Sequence, residues 1–170
     1  MATLIVVLRL LHILAGVFWV GAALFMTFMV GPSLRQAGPS AGPVMAELNR
    51  RRYSDWFFGA SLVVLVTGLA LLWIVSAHLS RSWLLSDMGL TLEVGAAAAI
   101  LAIVIGATRI RPMSSRMASL QRAIMLEKRP PTPVEQAAIG AMLGNLSAWS
   151  TRTAMLLVVA AGAMGVARYL

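Results

Sequence analysis

Apolar residues gather into four runs, near Leu10–Val30, Trp56–Ala77, Met88–Ala107 and Trp149–Tyr169. Each is long enough for a helix to cross a hydrocarbon core, which takes roughly 20 residues. Between them the pattern changes to Gly, Pro and charge. The pattern predicts an all-α fold: a single domain over residues 1–170, an integral membrane four-helix bundle with long loops at 31–55 and 108–148.

The loops carry their own signals. GPSLRQAGPSAGP is expected to break helix, with Pro43 suiting the first turn of a new one. From there VMAELNRRRYSDWFF is expected to run straight into the second span, with Tyr53 and Trp56 at headgroup level. The connection His78–Asp87 is short, so spans two and three form an antiparallel hairpin with Ser86 or Asp87 as N-cap. In the third loop Met113, Met117, Leu120 and Ile124 recur at helical spacing, with Arg111, Arg116 and Arg122 on other faces. Pro112 is expected to kink this helix or to separate it from span three. After RPPTP, Thr132, Pro133 and Glu135 read as a capping box with proline at the first position, opening a helix with Ala138, Met142, Leu146 and Trp149 on one face. Spans three and four therefore extend into a helical hairpin outside the membrane. Within the bilayer, Ala98, Ala102 and Gly106 on span three, and Ala161 and Gly165 on span four, are the expected small-residue contact faces.

Composition agrees with a membrane chain: 59% of residues are hydrophobic, 12% are charged and mean hydropathy is +0.84. The first run is too long for a signal h-region and lacks a small-x-small cleavage site, so it is expected to be retained. A net charge of +8 would suggest nucleic acid in a soluble protein, but its distribution argues otherwise. Eleven of the 14 Lys and Arg residues lie in or beside the first and third loops, and only Arg9, Arg81 and Arg168 lie on the other side. That bias puts the two loops in the cytoplasm and both termini outside. Their cations, Arg50, Arg51 and Arg52 among them, then contact anionic lipid headgroups or clamp another anion, and no nucleic-acid partner is expected. The absence of cysteine excludes disulfides, thiolate metal sites and covalent haem attachment. The 11 methionines are dispersed and read as core filler; only Met26 and Met29 pair at helical spacing within a span.

Ionisable groups inside a membrane are costly and default to functional or paired roles. His12, Glu93 and His78 are the three, all expected in the outer half of the bundle. Gly16 and Trp19 follow His12 by four and seven residues and share its side of the helix. A glycine one turn below an imidazole leaves space for a flat ligand, with an aromatic wall beyond. That arrangement suits haem ligation, with His12 as metal ligand and His78 as a possible second. Two other readings of His12 stay open: a packing residue bonded to a backbone carbonyl or to Glu93, and a proton-transfer group. Glu93 pairs with Arg9, carries a proton, or orients His12.

LLHILAGVFWVGAALF, a Pro-containing loop, then NRRRYSDWFFGASLVVLVTGLALL resembles the small four-helix membrane proteins grouped around the copper-resistance D family and the HemJ-type protoporphyrinogen oxidases. The third-span tail and the ending MGVARYL are similar to a poorly characterised branch of that group. For HemJ-type relatives the resemblance implies a b-type haem held by the first-span histidine, here His12. Those relatives resemble one another in a third-span lysine, where this chain has Glu93. For the copper-resistance D side it implies metal uptake across a bacterial inner membrane. Three expectations follow: a haem b protein of electron transfer or porphyrin-linked redox chemistry; a non-catalytic subunit of a larger membrane complex or homo-oligomer; and copper or small-solute transport.

Overall fold

A computed structural model describes residues 2–38 and 41–170, 90% of it helical and with no strand among the described residues. Helix α1 (Ala2–Phe25) passes through a five-residue π-turn, Met26–Val30, into α2 (Gly31–Ala37). After α3 (Ala41–Arg50) come α4 (Tyr53–Val75) and the short α5 (Arg81–Leu84). Helix α6 (Asp87–Ile105) passes through a second π-turn, Gly106–Ile110, into α7 (Arg111–Leu126), and α8 (Pro133–Val166) completes the bundle. Four continuous stretches, Ala2–Ala37, Tyr53–Val75, Asp87–Leu126 and Pro133–Tyr169, are long and apolar enough to cross a membrane. The chain is a multi-pass membrane protein of all-α class.

Pro32 does not stop its helix where the sequence suggests, and Pro112 lies at the junction of α6 and α7. A mid-helix proline lacks an N–H, and its ring collides with the carbonyl four residues back. At Pro32 and Pro112 the preceding turn is widened instead: Gly31 N–H donates five residues back to Met26 O, and Arg111 N–H to Gly106 O. A side chain at position 31 would stand 2.9 Å from Met26 O, so glycine is required there. The helix runs on to Gly38, whose φ of +56° ends it. The break expected at Pro39 and Ser40 lies outside the described residues.

Between α3 and α4 the expected continuous helix is interrupted. Arg52 takes a left-handed φ of +54° and α4 begins at Tyr53. The three arginines divide across this corner: Arg50 and Arg51 turn back to Glu47 at 2.7 and 2.8 Å, and Arg52 reaches forward to Asp55 at 2.8 Å. With two guanidiniums donating to it, the Glu47 carboxyl is held down at about 2. The local caps follow the sequence: Ser86 Oγ accepts from Gly89 N, and Thr132 and Glu135 form the reciprocal capping box with Pro133 in the first turn. Arg129 donates to both oxygens of Glu135 at 2.7 Å, fastening the α7–α8 corner.

Helix α1 packs along α4 and α6 along α8, while contacts between these two pairs, α1 with α8 and α4 with α6, are sparse. The core joins all four: Trp19 and Ala23 of α1, Val64 of α4, Ala98, Ala99 and Ala102 of α6, and Leu157 and Ala160 of α8. The α6 face is as expected at Ala98 and Ala102, and it gains Gly95, where a Cβ would meet Ala163 Cβ at 3.2 Å. On α8 the expected face is wrong. Ala161 and Gly165 are exposed, and the buried stripe is Ala154, Leu157 and Ala160. Small residues occupy two sides of this helix, and the side bearing Leu157 wins because a large side chain fills the gap between helices whereas glycine leaves it open. Met117 and Ile124 of α7 are buried, so the amphipathic hairpin also forms as its spacing predicts.

Candidate functional site

His12 lies where α1 crosses the middle of α4. Its Nδ1 is 3.0 Å from Val64 O and 3.0 Å from Thr67 Oγ1. A carbonyl oxygen only accepts, so Nδ1 carries the hydrogen. The Thr67 hydroxyl in turn donates to Val63 O at 2.6 Å, which leaves its lone pairs to accept from the ring. In the neutral imidazole Nε2 is therefore the unprotonated nitrogen, and it has no hydrogen-bond partner among the described residues. Gly68 closes one side of the ring: a Cβ there would stand 2.9 Å from His12 Cε1. Val64, Thr67 and Gly68 thus form a fitted seat on α4 for one α1 side chain.

This geometry revises the expected depth. Val64 is the middle residue of the 23 in α4, so the imidazole is level with the centre of that span. Half of α4 amounts to about 17 Å of helix on either side. The expectation of an outer-half position rests on an apolar run beginning near Leu10, but α1 is helical from Ala2.

The structure separates the groups expected to cooperate. His78 lies beyond the end of α4, exposed, with φ +63° and its ring edge-on to Trp73. From Gly68 to Val75 the helix alone rises about 10 Å, whereas two ligands of one metal each lie about 2 Å from it. His78 does not complete an axial pair with His12. Arg9 and Glu93 form no ion pair, and Glu93 has no hydrogen bond to His12, among the described residues. They ride on α1 and α6, which sit diagonally across the bundle, each flanked by α4 and α8. No cluster of three potential metal-ligating His, Cys, Asp or Glu residues occurs among the described residues.

Beside Gly16 a Cβ would meet only Val64 Cγ2, at an ordinary contact distance of 4.0 Å. Trp19 is not a wall beside a ligand but the centre of the core, 2% exposed and edge-on to Phe57. Its Nε1–H has no partner among the described residues, as is also true of Thr153 Oγ1. An unsatisfied buried donor costs about 1–3 kcal/mol. Trp19→Phe is therefore expected to match or exceed the native protein in thermal unfolding in detergent, while Trp19→Ala loses about 3–5 kcal/mol of packing. A Phe variant as damaged as the Ala variant would mean that the indole nitrogen has a partner, a water or a ligand atom.

Reasoning from sequence missed Thr67 and Gly68. A Thr-Gly step midway through an otherwise aliphatic span was the available signal. No protein-family model, curated protein or solved structure matches the chain.

Proposed function

We propose that this is an inner-membrane protein that holds a b-type haem through Nε2 of His12 and serves electron transfer or porphyrin-linked redox chemistry. The observation carrying the proposal is the anchored ring. A metal-ligating histidine characteristically donates its other N–H to a carbonyl or similar acceptor, which fixes tautomer and orientation. His12 does so to Val64 O and Thr67 Oγ1. The donor chemistry fits a haem, and the ring is only half-buried, so the side away from Gly68 is the approach for a macrocycle. Of the residues expected beside the ring, Trp19 packs in the core and His78 lies beyond the end of α4, so His12 is the residue that would hold the group. Once bound, the haem supplies one-electron chemistry; the chain's own part is to fix the nitrogen and exclude water around it. The resemblance of the first-span motif to HemJ-type proteins supports the same reading. The weighting of cations toward residues 31–55 and 108–148 supports a cytoplasmic position for those loops, with both termini outside.

The test is a reduced-minus-oxidised absorption spectrum of the detergent-purified protein. Haem bands are expected from the native protein, none from His12→Ala, and a reduced occupancy from Thr67→Val, in which the ring keeps only Val64 O. Featureless spectra from a haem-supplemented native preparation, or unchanged bands in His12→Ala, would end the proposal.

One observation favours a second reading, a subunit of a larger assembly. On the part of α8 that precedes Trp149, the exposed residues Ala137, Gly140, Ala141, Gly144 and Ala148 are small and uncharged. A helix face meeting only water is ordinarily charged, and a smooth one permits close approach of another helix. Gentle extraction followed by sizing separates the readings: a colourless complex with larger partners favours the subunit. Copper or small-solute transport has weaker support and predicts uptake that depends on His12 and Glu93.

A further inference from the structure

The surface between α1 and α4 is not evenly filled. Toward the α3 corner the two helices leave a groove of about 780 Å³, walled by Phe18 on one side and Trp56, Ala60 and Val63 on the other, with Gly59 at its floor and Arg52 and Asp55 at its mouth. A Cβ at Gly59 would meet nothing within 4 Å, so the missing side chain itself makes part of the space. Arg52 bonds Asp55 through Nε alone, and its two terminal nitrogens have no hydrogen bond among the described residues. Arg111 approaches the same carboxylate at 4.0 Å while its guanidinium lies over Phe58, 4.8 Å from the ring centre. One carboxylate therefore faces two guanidiniums, and the mouth keeps a net positive charge.

The length of the groove is informative. From Arg52 to Val63 the helix climbs 11 residues, about 16 Å at 1.5 Å each, which is half of a ~30 Å hydrocarbon core. The groove thus begins at headgroup level, where Trp56 stands 71% exposed as an interfacial aromatic, and ends near the mid-plane. Its apolar part has the depth of one leaflet and its charged part lies where lipid phosphates lie. A smaller depression lined by Leu62, Val63, Val66 and Thr67 adjoins it at Val63 and continues inward.

We propose that this groove is a binding site for one anionic phospholipid of that leaflet, its phosphate held by Arg52 with Arg111 in support and one acyl chain lying over Gly59 between Phe18 and Val63. Arginine suits phosphate through paired N–H donors, and Asp55 presents its terminal nitrogens outward by holding Nε. A zwitterionic lipid of the same chain length fills the groove equally well but brings a cationic group to an already cationic mouth, so the site discriminates by headgroup.

The purified full chain in detergent is titrated with phosphatidylglycerol, with phosphatidylcholine of identical acyl chains and with inorganic phosphate, reading bound lipid by native mass spectrometry and the shift in unfolding temperature. Phosphatidylglycerol is expected to bind about tenfold more tightly than phosphatidylcholine, whose choline cation stands against the guanidiniums of the mouth. Inorganic phosphate alone is expected to give no shift. Arg52→Gln should erase the headgroup preference while retaining weak binding of both lipids. Gly59→Leu, whose Cβ enters open space, should weaken both lipids without lowering the unfolding temperature of the lipid-free chain. Equal binding of the two lipids by the native chain, or full phosphatidylglycerol binding by a folded Gly59→Leu variant, would overturn the proposal. A shift with inorganic phosphate alone would reassign the mouth to a free anion and overturn it too.

Discussion

Gly89→Ala is expected to lower the stability of the bundle by about 3 kcal/mol, at the upper end of the range for overpacking by a single group. The reason lies in how α6 starts. Ser86 Oγ accepts from Gly89 N at 3.1 Å and donates to Trp83 O at 2.6 Å, which draws the α5 turn down onto the first turn of α6. Gly89 is buried under that turn, and a Cβ would fall on Trp83 O, with Leu84 O and Leu84 Cα at 3.0 and 3.1 Å. All of these are backbone atoms, so no side chain can swing away and the cap itself must open. The control is Gly59→Ala, where the same methyl meets nothing and helix propensity favours alanine by up to about 1 kcal/mol. Unfolding midpoints of the two variants in the same detergent should move in opposite directions. If Gly89→Ala unfolds no earlier than Gly59→Ala, the tight corner is not real.

Gly89 also illustrates what could and could not be read from the chain. The cap at Ser86 and the capping box at Thr132 and Glu135 were legible because they depend on residues three apart in sequence. The four spans were legible because bilayer thickness imposes length and hydropathy on any helix that crosses it. The glycine under the α5 turn was not, since its constraint comes from a carbonyl six residues away whose position only the folded corner fixes. Pro32 misled for a related reason: the rule against mid-helix proline assumes four-residue hydrogen bonding, and a π-turn suspends it locally.

The candidate site divides in the same way. That an imidazole in a hydrocarbon stretch needs a partner followed from the cost of burying it. Which partner it finds depends on the register between α1 and α4, and two spans rich in Val, Leu and Ala encode register weakly. Arg9 and Glu93 were plausible partners by depth, yet depth does not say which helices are neighbours, and α1 and α6 are diagonal. Likewise Gly16 was noticed for being near His12 in sequence, while the glycine that receives the ring is Gly68, 56 residues on.

The other large effect is expected at that glycine. Gly68→Val places a Cβ 2.9 Å from His12 Cε1 and two further methyl groups beyond it, against a ring already held at Nδ1 by Val64 O and Thr67 Oγ1. The imidazole cannot retreat without surrendering those bonds, so either they break or α1 and α4 part along the contact. Hydrogen bonds between membrane helices contribute about 0.6 kcal/mol each on average, and overpacking adds about 1–3 kcal/mol, for an expected loss of about 2–4 kcal/mol. His12→Ala removes the obstructing ring as well as its bonds, so the double variant should be less unstable than the sum of the two single changes. A double-mutant cycle on unfolding free energies is expected to give a coupling of about 1–3 kcal/mol in the relieving direction, as for residues in direct contact. Additive losses would show that the ring does not sit against Gly68. The seat that fixes the tautomer of His12, and with it the case for Nε2 as a ligand, would then have to be abandoned.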